Sequence, residues 1–122
     1  MGSLFSSKQK DKNGVLTGVD FIQDKIKSND IFMFSKSTCI YCDNAKELLN
    51  NRKLEYKYLE LDHNENCPDK DCLKLKNELI KLTRQKSVPQ IFINGSFIGG
   101  FTDLDKLLSN EMFKLEKKLS KI

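Results

Sequence analysis

Ile31-Phe32-Met33-Phe34-Ser35-Lys36-Ser37-Thr38-Cys39-Ile40-Tyr41-Cys42 is the stretch that decides the fold. Ile31 to Phe34 is apolar at every residue, which suits a central strand covered on both faces. The helix that follows carries Cys42, Ala45, Leu48 and Leu49 at helical spacing and ends near Asn50-Asn51. A C-x-x-C at a strand-to-helix junction sets its first sulfur over backbone N–H groups with no partner inside the helix, where the dipole favours a thiolate. Thiolate is the nucleophilic form, so Cys39 reads as the reactive thiol. Cys42 lies one turn further in, where the dipole helps less and burial disfavours the charge, and it reads as the resolving thiol. The competing reading is half of a zinc knuckle, which calls for a second C-x-x-C that the chain lacks.

On the N-terminal side, Thr17 can cap a helix bearing Val19, Ile22 and Ile26 that fades at Ser28-Asn29. Residues 1–14, rich in Ser, Lys, Gln and Gly, read as a disordered tail ahead of a domain spanning 15–122. On the C-terminal side, Glu55 to Leu61 predicts a second strand, parallel to the first because a helix crosses between them. Asp62 to Asp71 reads as a polar loop, and Cys72, Leu75, Leu79 and Leu82 mark a helix up to Thr83. Gln90 to Ile93 and Ser96 to Ile98 flank Asn94-Gly95, a type I′ hairpin signal. Thr102 can cap a last helix that buries Leu104, Leu107, Leu108, Met112, Leu115 and Leu119. The expected architecture is α/β: a four-stranded mixed sheet flanked by helices, with an extra helix at the N-terminus.

A chain of 122 residues is one domain with a modest core. Its net charge of +4 comes from scattered lysines with only two arginines, Arg52 and Arg84, which describes a solvated surface and not a nucleic-acid footprint. No apolar run approaches the roughly 20 residues needed to cross a bilayer, and no signal-peptide core is visible. A cytoplasmic setting is therefore expected, in which cysteines serve as thiols, metal ligands or transient disulfides more than as permanent staples.

The element order with C-x-x-C after the first strand resembles the thioredoxin fold, and three motifs narrow the resemblance to the glutaredoxin family. Lys36-Ser37-Thr38-Cys39-Ile40-Tyr41-Cys42 is similar to the family's active site, Ser87-Val88-Pro89 to its cis-proline segment, and Gly99-Gly100-Phe101-Thr102-Asp103 to its glycine pair with a following hydroxyl and acid. The resemblance implies glutathione as co-substrate, glutathionylated or disulfide-containing proteins as partners, and reversible thiol–disulfide exchange through Cys39 and Cys42. It implies that the Val88 backbone, across a cis bond to Pro89, grips the cysteine of glutathione, that Gly100, Thr102 and Asp103 hold its γ-glutamyl end, and that Lys36 and Lys76 face its glycyl carboxylate. Tyr41 would cover the sulfur. The residue types alone also fit an ordinary proline before an edge strand, a plain acidic N-cap at Thr102-Asp103 and an exposed aromatic at a helix start.

Three features depart from that pattern. Ile40 stands where family members with two active-site cysteines usually have proline, and some members lacking it bind a [2Fe-2S] cluster between two subunits, so a cluster-bridged dimer is the alternative to a monomeric enzyme. Cys67 and Cys72 lie outside the family motifs; free thiols are the expectation, with a Cys67–Cys72 bridge or a three-ligand site with His63 as the other options. Finally, Met1-Gly2-Ser3-Leu4-Phe5-Ser6 fits N-myristoylation at Gly2, with Lys8, Lys10 and Lys12 as an electrostatic second signal for peripheral membrane attachment, and equally fits a cloning remnant.

Overall fold

The structure, a computed structural model, describes residues 18–109. The proposed tail, the Thr17 cap, Gly2, and Met112, Leu115 and Leu119 lie outside the described residues. The elements run α1 (Gly18–Ser28), β1 (Ile31–Ser35), α2 (Ile40–Asn51), β2 (Lys57–Glu60), α3 (Cys72–Thr83), β3 (Gln90–Ile93), β4 (Ser96–Gly99) and a helix α4 over 101–109. The four strands form one sheet in the order β2-β1-β3-β4. β1 pairs parallel with β2 and antiparallel with β3, and β3 pairs antiparallel with β4.

The unbroken apolar run of β1 serves two cores at once, because successive strand side chains point to opposite faces. Phe32 and Phe34 join Ile22, Ile26, Leu75 and Leu79 on the face covered by α1 and α3. Ile31 and Met33 join Ala45, Leu49, Leu104 and Leu108 on the face covered by α2 and α4. β3 repeats the division, with Phe92 on the first face and Ile91 and Ile93 on the second. All five β1 residues are buried, as the central position demands. Asn94 and Gly95 both have positive φ, 51° and 83°, as a type I′ turn requires.

Three sequence expectations need correction. β2 is shorter than Glu55–Leu61, because only Lys57–Glu60 find ladder partners on β1. The segment after it contains two 3-10 turns, Asn64–Asn66 and Pro68–Lys70. Cys67 and Cys72 are not free thiols: they form a disulfide with their Cα atoms 5.2 Å apart. Neither sulfur is then available to join His63 around a metal. The bridge sits in the α1/α3 core, with Cys67 6% and Cys72 3% exposed.

Candidate functional site

Cys39 ends up where β1 hands over to α2, at the N-cap of the helix with extended backbone (φ −124°, ψ 111°). Its side chain replaces the usual oxygen cap: Sγ accepts the Cys42 amide N–H, with the nitrogen 3.1 Å away. Cys39 is partly accessible, whereas Cys42 is fully buried. Burial pushes the Cys42 thiol up to about 12, and its hydrogen bond to Cys39 and the neighbouring sulfur's charge add to the rise. One sulfur is thus placed for attack and the other is kept protonated beneath it.

The Val88–Pro89 peptide bond is cis. Val88 carbonyl oxygen lies 3.8 Å from Cys39 Sγ, so the segment reaches this sulfur. A network that sequence reading missed holds this segment. Gln85 Nε2 donates to the Ser87 and Pro89 carbonyls at 2.9 and 3.1 Å. Gln90, itself buried, donates from Nε2 to the Gln85 carbonyl at 2.6 Å, and Thr83 Oγ1 donates to Gln90 Oε1 at 3.0 Å.

A groove of about 410 Å³ runs from this point, lined by Tyr41, Gln85, Val88, Pro89, Gly100 and Asp103 among others. Tyr41, 59% exposed, stands over one wall with its ring centroid 6.3 Å from that of Phe101. α4 starts two residues earlier than a Thr102 cap predicts. Gly100 takes the capping position, its carbonyl accepting the Leu104 N–H at 3.0 Å, and its N–H donates to Asp103 Oδ2 at 3.0 Å. Thr102 is exposed within the first turn and also lines the groove. Gly99 adopts φ +127°, and a Cβ there would overlap the Asp103 carboxylate, so this turn needs glycine.

On the other side of Val88, Lys36, Lys76 and Lys86 line a small cavity of about 40 Å³ with Val88 itself. The structure therefore brings the two expected lysines together and adds a third, Lys86, whose place beside Ser87-Val88-Pro89 was the available signal. The larger depression at the opposite end of the sheet, about 610 Å³ near Ser28, Asn50 and Lys57, contains none of the thiols.

Two more polar groups border the site. Ser37, two residues before Cys39, gives its N–H and hydroxyl to the Asp62 carboxylate, and these bonds hold that carboxyl below its usual range. Glu60, Asp62 and His63 bring three potential ligand atoms within 4.8 Å of one another. Lys46 already pairs with Glu60 at 3.7 Å and Ser37 with Asp62, so these carboxylates are committed.

Known proteins match this arrangement. The glutaredoxin family profile matches residues 31–98, more than half of the chain. The chain belongs to the glutaredoxin family. It is 39% identical over 95 residues to the mitochondrial glutaredoxin-2 of Bos taurus, covering 78% of this chain and 57% of that protein. It is 40% identical over 90 residues to glutaredoxin-2 of Schizosaccharomyces pombe, covering 74% and 77%. The chain spans little more than half the length of the mammalian relatives it matches. Among solved glutaredoxins, oxidized glutaredoxin 2 from Chlamydomonas reinhardtii superimposes with a TM-score of 0.72 at 32% identity, covering 85% of this chain and 94% of that one. The buckwheat glutaredoxin–glutathione complex gives 0.69 at 28% identity, covering 83% and 88%. The glutaredoxin neighbours establish the thioredoxin-like fold for this chain. Among the described residues, no helix is long and apolar enough to cross a membrane.

Proposed function

We propose that this glutaredoxin is a glutathione-dependent thiol–disulfide oxidoreductase that reduces protein–glutathione mixed disulfides and protein disulfides through Cys39. The carrying observation is a partly accessible sulfur held by a helix N-terminal amide at 3.1 Å, beside the carbonyl of Val88, which with Tyr41 and Pro89 lines a groove of about 410 Å³. Glutathione would lie with its cysteine against Val88-Pro89, its γ-glutamyl end toward Gly100, Thr102 and Asp103, and its glycyl carboxylate toward Lys36, Lys76 and Lys86. The buckwheat relative's complex with glutathione supports this reading.

Cys39 thiolate attacks the glutathione sulfur of a mixed disulfide, forming a Cys39–glutathione disulfide and releasing the protein thiolate, which takes up a proton. A second glutathione thiolate then attacks the bound glutathione sulfur, giving glutathione disulfide and returning Cys39 as thiolate. With a protein disulfide, Cys39 thiolate attacks one of the two sulfurs, breaking the protein S–S bond, forming a Cys39–protein mixed disulfide and releasing the other protein sulfur as thiolate, which takes up a proton. Cys42 sulfur then attacks Cys39 sulfur, displacing the second protein thiolate, which takes the Cys42 proton as the Cys39–Cys42 disulfide closes. The proposed catalytic unit is the 15–122 domain, acting as a monomer.

The second reading is a [2Fe-2S] cluster shared between two subunits: Cys39, the accessible active-site sulfur, is the one ligand such a dimer would take from each chain, with glutathione completing the set, and Ile40, 69% exposed beside it, would face the second subunit. Attachment of the chain to a membrane in the cytoplasm rests on Gly2 and the following lysines, and intact mass after co-expression with a myristoyl transferase tests it. Turnover of a glutathionylated peptide, coupled to glutathione disulfide reduction, tests the enzyme reading; no turnover by the wild-type protein removes it.

A further inference from the structure

The polar segment after β2 reaches back to the active-site loop. Asp62 Oδ1 and Oδ2 accept the Ser37 N–H at 3.1 and 3.2 Å, and Oδ2 accepts the Ser37 hydroxyl at 2.5 Å. Ser37 belongs to the short link between β1 and the Cys39 cap, so three bonds from one carboxylate fix the approach to the nucleophile. Asp62 is in turn fixed from both sides. Before it, buried Leu61 donates its N–H to the Ser35 carbonyl at 2.8 Å. After it, the His63 carbonyl accepts the Asn66 N–H at 2.9 Å and Cys72 N–H reaches Asn64 Oδ1 at 3.2 Å. Cys72 Sγ packs 3.3 Å from the His63 carbonyl oxygen, a contact only, since a disulfide sulfur has no hydrogen to donate. The Cys67–Cys72 bridge closes this loop against the core.

We infer that Asp62 is a positioning residue for the Cys39 loop and that the Cys67–Cys72 disulfide anchors it. A carboxylate with both oxygens on one backbone N–H and a hydroxyl restricts the loop without touching substrate. Asp62 as a residue is exposed, so its contribution to global stability is small and its effect falls on local order. The kinetic consequence rests on the proposed glutathione chemistry; the structural consequence does not.

The test compares Asp62→Ala, Asp62→Asn, Ser37→Ala and the Cys67→Ala/Cys72→Ala double variant with the wild type. The first readout is hydrogen exchange of the Ser37 amide, measured without glutathione. Asp62→Ala should speed it about tenfold, Asp62→Asn, which keeps an acceptor, about threefold or less, and the double variant by an intermediate factor. The second is kcat/KM for a glutathionylated peptide, expected to fall about tenfold in Asp62→Ala and to recover to within about threefold in Asp62→Asn. Unchanged Ser37 exchange in Asp62→Ala overturns the positioning role. Equal impairment of the Asn and Ala variants overturns it too, by assigning the effect to charge. Wild-type exchange in the double variant overturns the anchor. If Asp62→Ala does not fold, Ser37→Ala decides: about twofold faster exchange is expected, and no change overturns the clamp. A wild-type protein without turnover defeats the enzyme reading alone, since the exchange readout stands without it.

Discussion

Cys39 caps the helix in which Cys42 is buried: the Cys42 amide nitrogen lies 3.1 Å from Cys39 Sγ, and the Cys42 thiol is sealed beneath. In the proposed chemistry the same pair of residues is joined twice, once by a hydrogen bond that serves attack and once by a disulfide that serves release. The two roles separate by mutation. Cys42→Ser should retain reduction of a glutathionylated peptide within about threefold, and Cys39→Ser should lose at least about a thousandfold. Equal activity of Cys39→Ser and wild type in that assay would refute the assignment.

The buried thiol also gives an alkaline signature. Cys42 titrates at about 12 in the folded protein against an ordinary 9.0, so the unfolded chain loses its proton first as pH rises. Stability from this group is complete below pH 9.0 and is lost progressively toward 12. Urea midpoints of the reduced protein should fall above pH 9.0 with a slope approaching about 1.4 kcal/mol per pH unit from this group alone. Cys42→Ser should lack that component, and parallel curves for the two proteins would exclude it.

The second disulfide should behave unlike the first. With Cys67 and Cys72 almost wholly inaccessible, glutathione should reduce an oxidised Cys39–Cys42 pair in the native protein while leaving Cys67–Cys72 intact. Alkylation followed by mass spectrometry reads this directly, and native-state labelling of Cys67 at the rate of Cys39 would contradict it. Replacing both by alanine should cost about 2 kcal/mol, the chain-entropy value for so short a loop.

Ser35 sits at the end of β1, fully buried, and its hydroxyl has no hydrogen-bond partner among the described residues. Ser35→Ala removes an unsatisfied polar group from the interior and should stabilise the protein by up to about 1 kcal/mol. A drop of similar size in the denaturation midpoint would reveal a bond to this hydroxyl.

What could be seen in the sequence was what short-range pattern encodes. The run Ile31 to Phe34, the Asn94-Gly95 turn and the leucine spacing of α3 each fix conformation from neighbouring residues, and the C-x-x-C marks its own junction. Groups joined across the chain were harder. Asp62 and Ser37 are 25 residues apart, and nothing in either residue type announces the other. The Cys67–Cys72 bridge depends on Asp69 and Lys70 both adopting positive φ, 59° and 55°, which turns the chain back on itself; neither residue signals that conformation as glycine would. Gln85 and Lys86 carried no motif, and the start of α4 moved because Gly100, not Thr102, provides the cap.

The Gly100–Asp103 bond has a thermodynamic corollary. Asp103 commits Oδ2 to the Gly100 amide, leaving Oδ1, with its rotamer already chosen, for the ammonium group of the proposed glutathione. Little side-chain freedom is then surrendered on association at this end of the groove, and the ordering cost falls on the incoming peptide instead. Affinity at this rim should therefore track the flexibility of the ligand more than that of the protein, so that tripeptide analogues locked in an extended shape gain where equally charged but floppier ones do not.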